Sequence, residues 1–192
     1  LLNQNKIFHN LRKSKNLQVA SFGFCLPNKG FLELVESIHI LRNYDINLKL
    51  NLYCSIYNSD YDWVYQKIKN LISTFDLGAL VNIHSEYIDE NSIADILSNH
   101  DLIVFPYQSS SESSSAAVRD ALASLRPVMV TPLPIFDDVK SFVEYFPGFS
   151  AEHLAKGLKF WYEGQLKDPI NLIEFEQLRI KQFKYRRFSS LS

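Results

Sequence analysis

The chain has 192 residues, a formal net charge of -1, and 46% apolar and 21% charged residues. That length allows one ordinary domain with extensions, large enough to bury a sizeable core. The balanced charge argues against nucleic acid as a partner, since its binders usually show a basic stripe, and no apolar run reaches the roughly 18 residues that a membrane helix needs.

Residues 1–15 are polar and basic with weak periodicity. They read as a linker or as the end of a missing N-terminal domain. The chain opens on Leu1-Leu2-Asn3 rather than Met, and is expected to be part of something longer. A regular alternation then begins. Residues 17–22 form an apolar strand that stops at Gly23. Phe31, Leu34, Val35, Ile38 and Leu41 recur at helical spacing, predicting an amphipathic helix over residues 29–43. Residues 48–53 alternate as a strand, and Trp63, Ile68, Leu71 and Ile72 mark a second helix. A short strand at 80–83 follows, then Asp89 as N-cap of a helix carrying Ile93, Ile96 and Leu97. Residues 102–105 are a fully apolar strand stopped by Pro106. Residues 114–124 read as a helix rich in small side chains, and 127–130 as a strand. The Thr131-Pro132-Leu133-Pro134 run is a rigid turn, and helices are expected over 151–162 and 171–184.

Strands alternating with helices argue for an α/β fold with a doubly wound, Rossmann-like parallel sheet. The strands hardly alternate, as burial on both faces requires. The expected organisation is a core domain over 16–165, with 166–192 as a C-terminal helix that either crosses to the missing domain or packs on its own. Cys25 and Cys54 have no metal-ligand spacing and are expected to be free thiols in a reducing, cytoplasmic setting.

In such sheets ligands bind outside the carboxyl ends of the strands, which directs attention to particular loops. The first is Gly23-Phe24-Cys25-Leu26-Pro27-Asn28-Lys29-Gly30. Glycines, a lysine and a helix start suit a phosphate; the alternative is an ordinary turn with a solvated lysine. The second runs from Tyr107 through the serines at 109–111 and 113–115 to Asp120. Serines at a helix start offer hydroxyls and amides to an anion. Glu112 and Asp120 stand eight residues apart and face one cleft, one at the loop and one deeper, in a fold where acidic residues commonly bind ribose hydroxyls. The third loop, residues 131–136, is either a fixed pocket wall or a rigid connector. The fourth carries Tyr87 and Ile88, where Tyr87 either packs on a base or is a rim or buried aromatic.

Taken jointly and in order, these pieces resemble the C-terminal domain of the retaining GT-B glycosyltransferases of the glycosyltransferase group 1 family. The likeness runs from about Leu17 to Asp138. It rests on Ala20-Ser21-Phe22-Gly23 with Lys29-Gly30, on Asp101 to Pro106, and on the signature of Glu112, Asp120, Ala121-Leu122-Ala123 and Arg126-Pro127-Val128. The resemblance implies retaining hexosyl transfer from a nucleotide-diphosphate sugar, without metal or other cofactor. It implies that Lys29 and the loop at Gly23 meet the donor diphosphate, and that Glu112 sits by the transferred sugar. Ser113, Ser114 and Ser115 would then present amides to sugar or phosphate oxygens, Asp120 would hold the ribose, and Tyr87 and Ile88 would flank the base. The acceptor, whether glycan, lipid-linked or protein, would come through the missing N-terminal domain, with peripheral membrane contact open. This half alone is expected to be inactive.

The sequence departs from the family pattern at four places. Asp120 replaces a glutamate, serines replace a glycine-rich run, Phe24 stands where an arginine is common, and Leu125 replaces a glycine. A non-catalytic nucleotide- or sugar-binding module is therefore the competing reading. The lack of acids at the end of the first strand argues against a receiver domain. The absence of G-x-G-x-x-G and G-x-S-x-G argues against a dinucleotide oxidoreductase and an α/β-hydrolase.

Overall fold

The structure, a computed structural model, describes residues 17–56 and 58–167. The expectations for residues 1–15, for a helix at 171–184 and for most of the C-terminal extension lie outside the described residues.

Six parallel strands build the sheet: β1 (Gln18–Phe24), β2 (Lys49–Ser55), β3 (Val81–His84), β4 (Leu102–Phe105), β5 (Val128–Val130) and β6 (Glu144–Tyr145). Their order is β3-β2-β1-β4-β5-β6. The five α-helices among the described residues are α1 (Phe31–Arg42), α2 (Asp62–Thr74), α3 (Glu90–Leu97), α4 (Ala116–Ala123) and α5 (Ala151–Lys167).

The strand residues alternate between two cores, as period-two side chains must. Val19, Leu102 and Val104 join the core beneath α1, α2 and α5. Ala20, Ile103 and Phe105 join the opposite core beneath α3 and α4. All four β4 residues are buried, which is why that strand shows no polar alternation. Helix α5 packs along α1; Trp161 is buried in that contact while Phe160 stays exposed.

The sheet order reverses between β1 and β4, which pair directly through Val19↔Leu102 and Ala20↔Ile103. Loops leaving these two strands diverge to opposite faces, and the crevice between them is where such sheets bind ligands. That geometry sets the site.

Two local corrections bear on it. The expected helix over 29–43 is divided: Pro27–Lys29 is a 3-10 turn, and Gly30 adopts φ 73° before α1 begins at Phe31. A left-handed residue ends a helical run, so Lys29 precedes α1 rather than opening it. The helix expected over 114–124 begins at Ala116, because Ser115 is its N-cap and its hydroxyl accepts from the Val118 amide. Leu125, just past α4, has φ 59°, a conformation that favours glycine at that place. The sequence reading missed β6 and the 3-10 turn Pro134–Val139.

His100, after α3, is buried against Tyr53. Its Nδ1 lies 3.2 Å from the Ile96 carbonyl, so Nδ1 carries the proton and Nε2 accepts from the Tyr53 hydroxyl at 3.4 Å. Burial holds its pKa below the ordinary value; the Ile96 and Leu97 carbonyls and Asp101 oppose this, and Arg126 adds to it. The unfolded chain therefore takes up this proton first as pH falls, so stability is full above about pH 6.5 and declines below it. Urea melts between pH 7 and 5 should show a loss attributable to this proton of at most about 1.4 kcal/mol per pH unit. The loss should be absent in His100→Gln, and an equal slope in both proteins would refute the assignment.

Candidate functional site

A cavity of about 280 Å³ opens at the carboxyl ends of the strands, at the β1/β4 switch point. It lies near the lower end of ligand-sized pockets, about 300–1,000 Å³. Several chain segments converge on it: the end of β1 and the turn after it, Ser55 at the end of β2, the loop after β3, Ile93 on α3, the loop after β4, and the first turns of α4.

The loops after β1 and β4 are fastened to each other. The Gln108 amide donates to the Asn28 carbonyl at 2.8 Å. Asn28 Nδ2 donates to the Ser109 carbonyl at 3.0 Å. At Gly30 the chains come closer still, for an added Cβ would stand 1.8 Å from the Pro106 carbonyl oxygen. Gly23 differs: nothing lies within 4 Å of its would-be Cβ, and its φ of 148° is what calls for glycine. The loop after β3 is tied in by Ser55, whose hydroxyl donates to the Glu86 carbonyl at 3.0 Å.

Lys29 is 9% exposed and lines the cavity. It is thus not the solvated lysine of an ordinary turn. Its Nζ lies 3.9 Å from the centre of the Tyr107 ring. Glu112 and Asp120 line the same cavity. Glu112 is exposed on the loop, and Asp120 is half-buried one level deeper on α4. Ser115, Ala116 and Ala117 bring the N-terminus of α4 to the cavity wall. The two alanines are small enough to let the helix end, with its positive dipole, approach a ligand.

Of the sequence-predicted residues, Gly23, Lys29, Tyr87, Ile88, Glu112, Ser115 and Asp120 share this cavity. Ser113 and Ser114 do not line it. Ser114 instead accepts from Arg119, which bridges to Asp138 on the 3-10 turn. Arg126 donates to the Ser98 carbonyl, so neither arginine is placed where Phe24 stands. Tyr87 is 72% exposed at the rim, an open aromatic face rather than a packed one.

Sequence reasoning missed Phe22, Ser55, Ile93 and Tyr107 as cavity residues. Ser55 was findable, since it stands at the carboxyl end of β2, where such sheets bind ligands. Tyr107 was quoted in its loop without a role. Residues 131–136 do not line the cavity. They buttress it: the buried Thr131 hydroxyl donates to the Tyr107 carbonyl at 2.6 Å. Among the described residues, no group of three or more His, Cys, Asp or Glu is arranged to hold a metal ion. No helix among them is long and apolar enough to cross a membrane. Cys25 and Cys54 are both buried free thiols. The Cys54 thiol donates to Cys25, which lowers the Cys25 pKa and, with burial, raises that of Cys54.

No protein-family model and no curated relative matches the sequence. Solved structures do. A glycosyltransferase from Rickettsia africae superposes with a TM-score of 0.72 at 16% identity, over 95% of this chain and 47% of that one. The C-terminal domain of a glycosyl transferase group 1 family protein from Francisella tularensis matches with a TM-score of 0.62 at 17% identity, over 85% of this chain and 78% of that one. An α,α-trehalose-phosphate synthase (UDP-forming) from Burkholderia vietnamiensis matches with a TM-score of 0.73 at 10% identity, over 96% of this chain and 45% of that one. The chain thus spans about half the length of the Rickettsia and Burkholderia proteins. In fold, the chain is a Rossmann-like domain of the GT-B glycosyltransferase type, the architecture of the C-terminal half of such enzymes.

Proposed function

We propose that this domain binds the donor of a glycosyltransferase, a nucleotide-diphosphate sugar, for retaining hexosyl transfer. The observation that carries the reading is the meeting of Lys29, Glu112, Asp120 and the α4 N-terminus in one cavity at the switch point. The Burkholderia relative in fold is named as UDP-forming, which supports a nucleoside diphosphate as leaving group.

In this reading Lys29 and the amides at the start of α4 take the charge that develops on the departing diphosphate. Such preorganised groups need no reorganisation as the bond breaks, and the reading requires no metal. Asp120, deeper in the cleft, accepts from the ribose hydroxyls. Ser115 is spent on capping α4, so its contribution is to fix the helix end rather than to donate a hydroxyl. Glu112 orients the sugar at the anomeric carbon. Tyr87 and Ile88 flank the base. The acceptor and any base come from a second domain, and this half alone does not turn over.

The test is calorimetric titration of the intact protein with UDP, GDP, ADP and their hexose conjugates. One nucleotide should bind saturably. Asp120→Ala should weaken it about 10- to 150-fold, the worth of hydrogen bonds to a charged group, about 1.5–3 kcal/mol. Absence of binding by all of them would sink the donor reading.

Phe24 favours one competing reading. It lines the cavity and is 43% exposed, where the resembled family commonly carries an arginine. A binding module without turnover is the result, if donor binds to the intact protein and no sugar is transferred or hydrolysed.

A further inference from the structure

A buried cation normally has a carboxylate partner, because burial without one is costly. Lys29 is nine-tenths buried, yet no ion pair among the described residues includes it. What Lys29 meets instead is a ring. Its ammonium stands 3.9 Å from the centroid of Tyr107, well within the roughly 6 Å reach of a cation–π contact.

That ring is closely packed. Tyr107 is 2% exposed, and Phe105 and Phe136 pack on it with centroids at 6.0 and 5.3 Å. Thr131 holds its carbonyl, and its hydroxyl lies 3.5 Å from that of Ser115, the cap of α4.

We propose that Tyr107 is a positioning residue for anion binding: its ring seats the Lys29 ammonium at the cavity wall without neutralising it. A carboxylate in that place would also offset the desolvation of Lys29, but would cancel its charge towards a ligand. The ring quadrupole offsets desolvation and leaves a full positive charge facing the cavity. Lys29 and the α4 N-terminus line the same cavity, so both act on one phosphate group. The inference rests on the donor reading for the identity of the anion, a nucleoside diphosphate.

The test compares Tyr107→Phe, which keeps the ring, with Tyr107→Leu, which removes it. In the ligand-free intact protein, NMR of the Lys29 Cε methylene should show an upfield ring-current shift in the wild type and Tyr107→Phe, and none in Tyr107→Leu. Titration then uses UDP, GDP and ADP beside their uncharged nucleosides. Tyr107→Leu should weaken the bound diphosphate about tenfold, the worth of a desolvated cation–π contact. Affinity for the nucleoside should stay unchanged, and Tyr107→Phe should restore that for the diphosphate. A purely structural role would weaken both ligands alike. Equal diphosphate affinity in Tyr107→Leu, or no ring-current shift in the wild type, overturns the proposal. Should the wild type show the shift but bind no nucleotide, the donor reading fails and the seat is only a packing contact.

Discussion

Gly30→Ala is expected to destabilise the protein by about 3–5 kcal/mol, the middle of the range of about 2–6 kcal/mol that left-handed backbone strain and overpacking span at about 1–3 kcal/mol each. The first arises because Gly30 sits at φ 73°. The second arises because the new methyl would stand 1.8 Å from the Pro106 carbonyl oxygen, a backbone atom with no rotamer to turn aside. Relief requires the start of α1 to move away from the end of β4. That motion pulls against the bonds from Gln108 and Asn28 that fasten the two loops. Since those loops carry Lys29 and Glu112, ligand affinity should fall along with stability. Thermal melting should drop by roughly 6–20 °C, at about 2–4 °C per kcal/mol for a chain of this size. Gly78→Ala is the control, since nothing lies within 4 Å of its Cβ position; it should stay within about 0.5 kcal/mol. A Gly30→Ala protein that melts with the control would show that the two loops are not rigidly apposed.

That contact also marks where the sequence stopped being legible. Local chemistry was readable. Four apolar residues before Pro106 gave β4 with its observed ends. Asp89 gave the cap of α3, its carboxylate accepting from the Asn91 amide. Both depend on neighbours within a few positions. The carboxyl-end rule then pointed to the edge of the sheet where the cavity opens, since alternating strands and helices leave few topologies. The pairing of β6 with β5 was not readable, because two residues, Glu144 and Tyr145, carry no periodicity and become a strand only through Met129 and Val130. Nor could a run of serines reveal which one caps α4. Ser115 does, while Ser114 is drawn into the surface network around Arg119 and Asp138. The Tyr107 seat was hidden for the same reason. Lys29 and Tyr107 are far apart in sequence, and their meeting depends on β1 lying beside β4.

On the proposed donor reading, Lys29→Met in the intact protein is expected to lower kcat about 10²- to 10³-fold, the loss seen when one preorganised group facing a developing negative charge is removed. Methionine keeps an unbranched stem in the buried channel and deletes only the charge, so the fold should survive; loss of an unpaired buried cation even relieves a desolvation cost. The effect should fall mainly on kcat, because charge on the departing diphosphate is greater in the transition state than in the bound donor. Lys29→Arg should rescue only in part. A planar guanidinium can stack on Tyr107, but its fork is wider than an ammonium and directs its donors differently. Steady-state kinetics with the donor identified by titration provide the measurement, and thermal melting confirms that the variant is folded. A rise in KM with kcat unchanged would assign Lys29 to uniform binding, holding donor and transition state equally. Unchanged kcat and KM would place the diphosphate elsewhere, and the cavity at the switch point would then need a different ligand. The three outcomes differ because the seat leaves Lys29 one role at a time: a charge held by a neutral ring either meets the phosphate as the bond breaks, meets it equally before and during, or meets nothing.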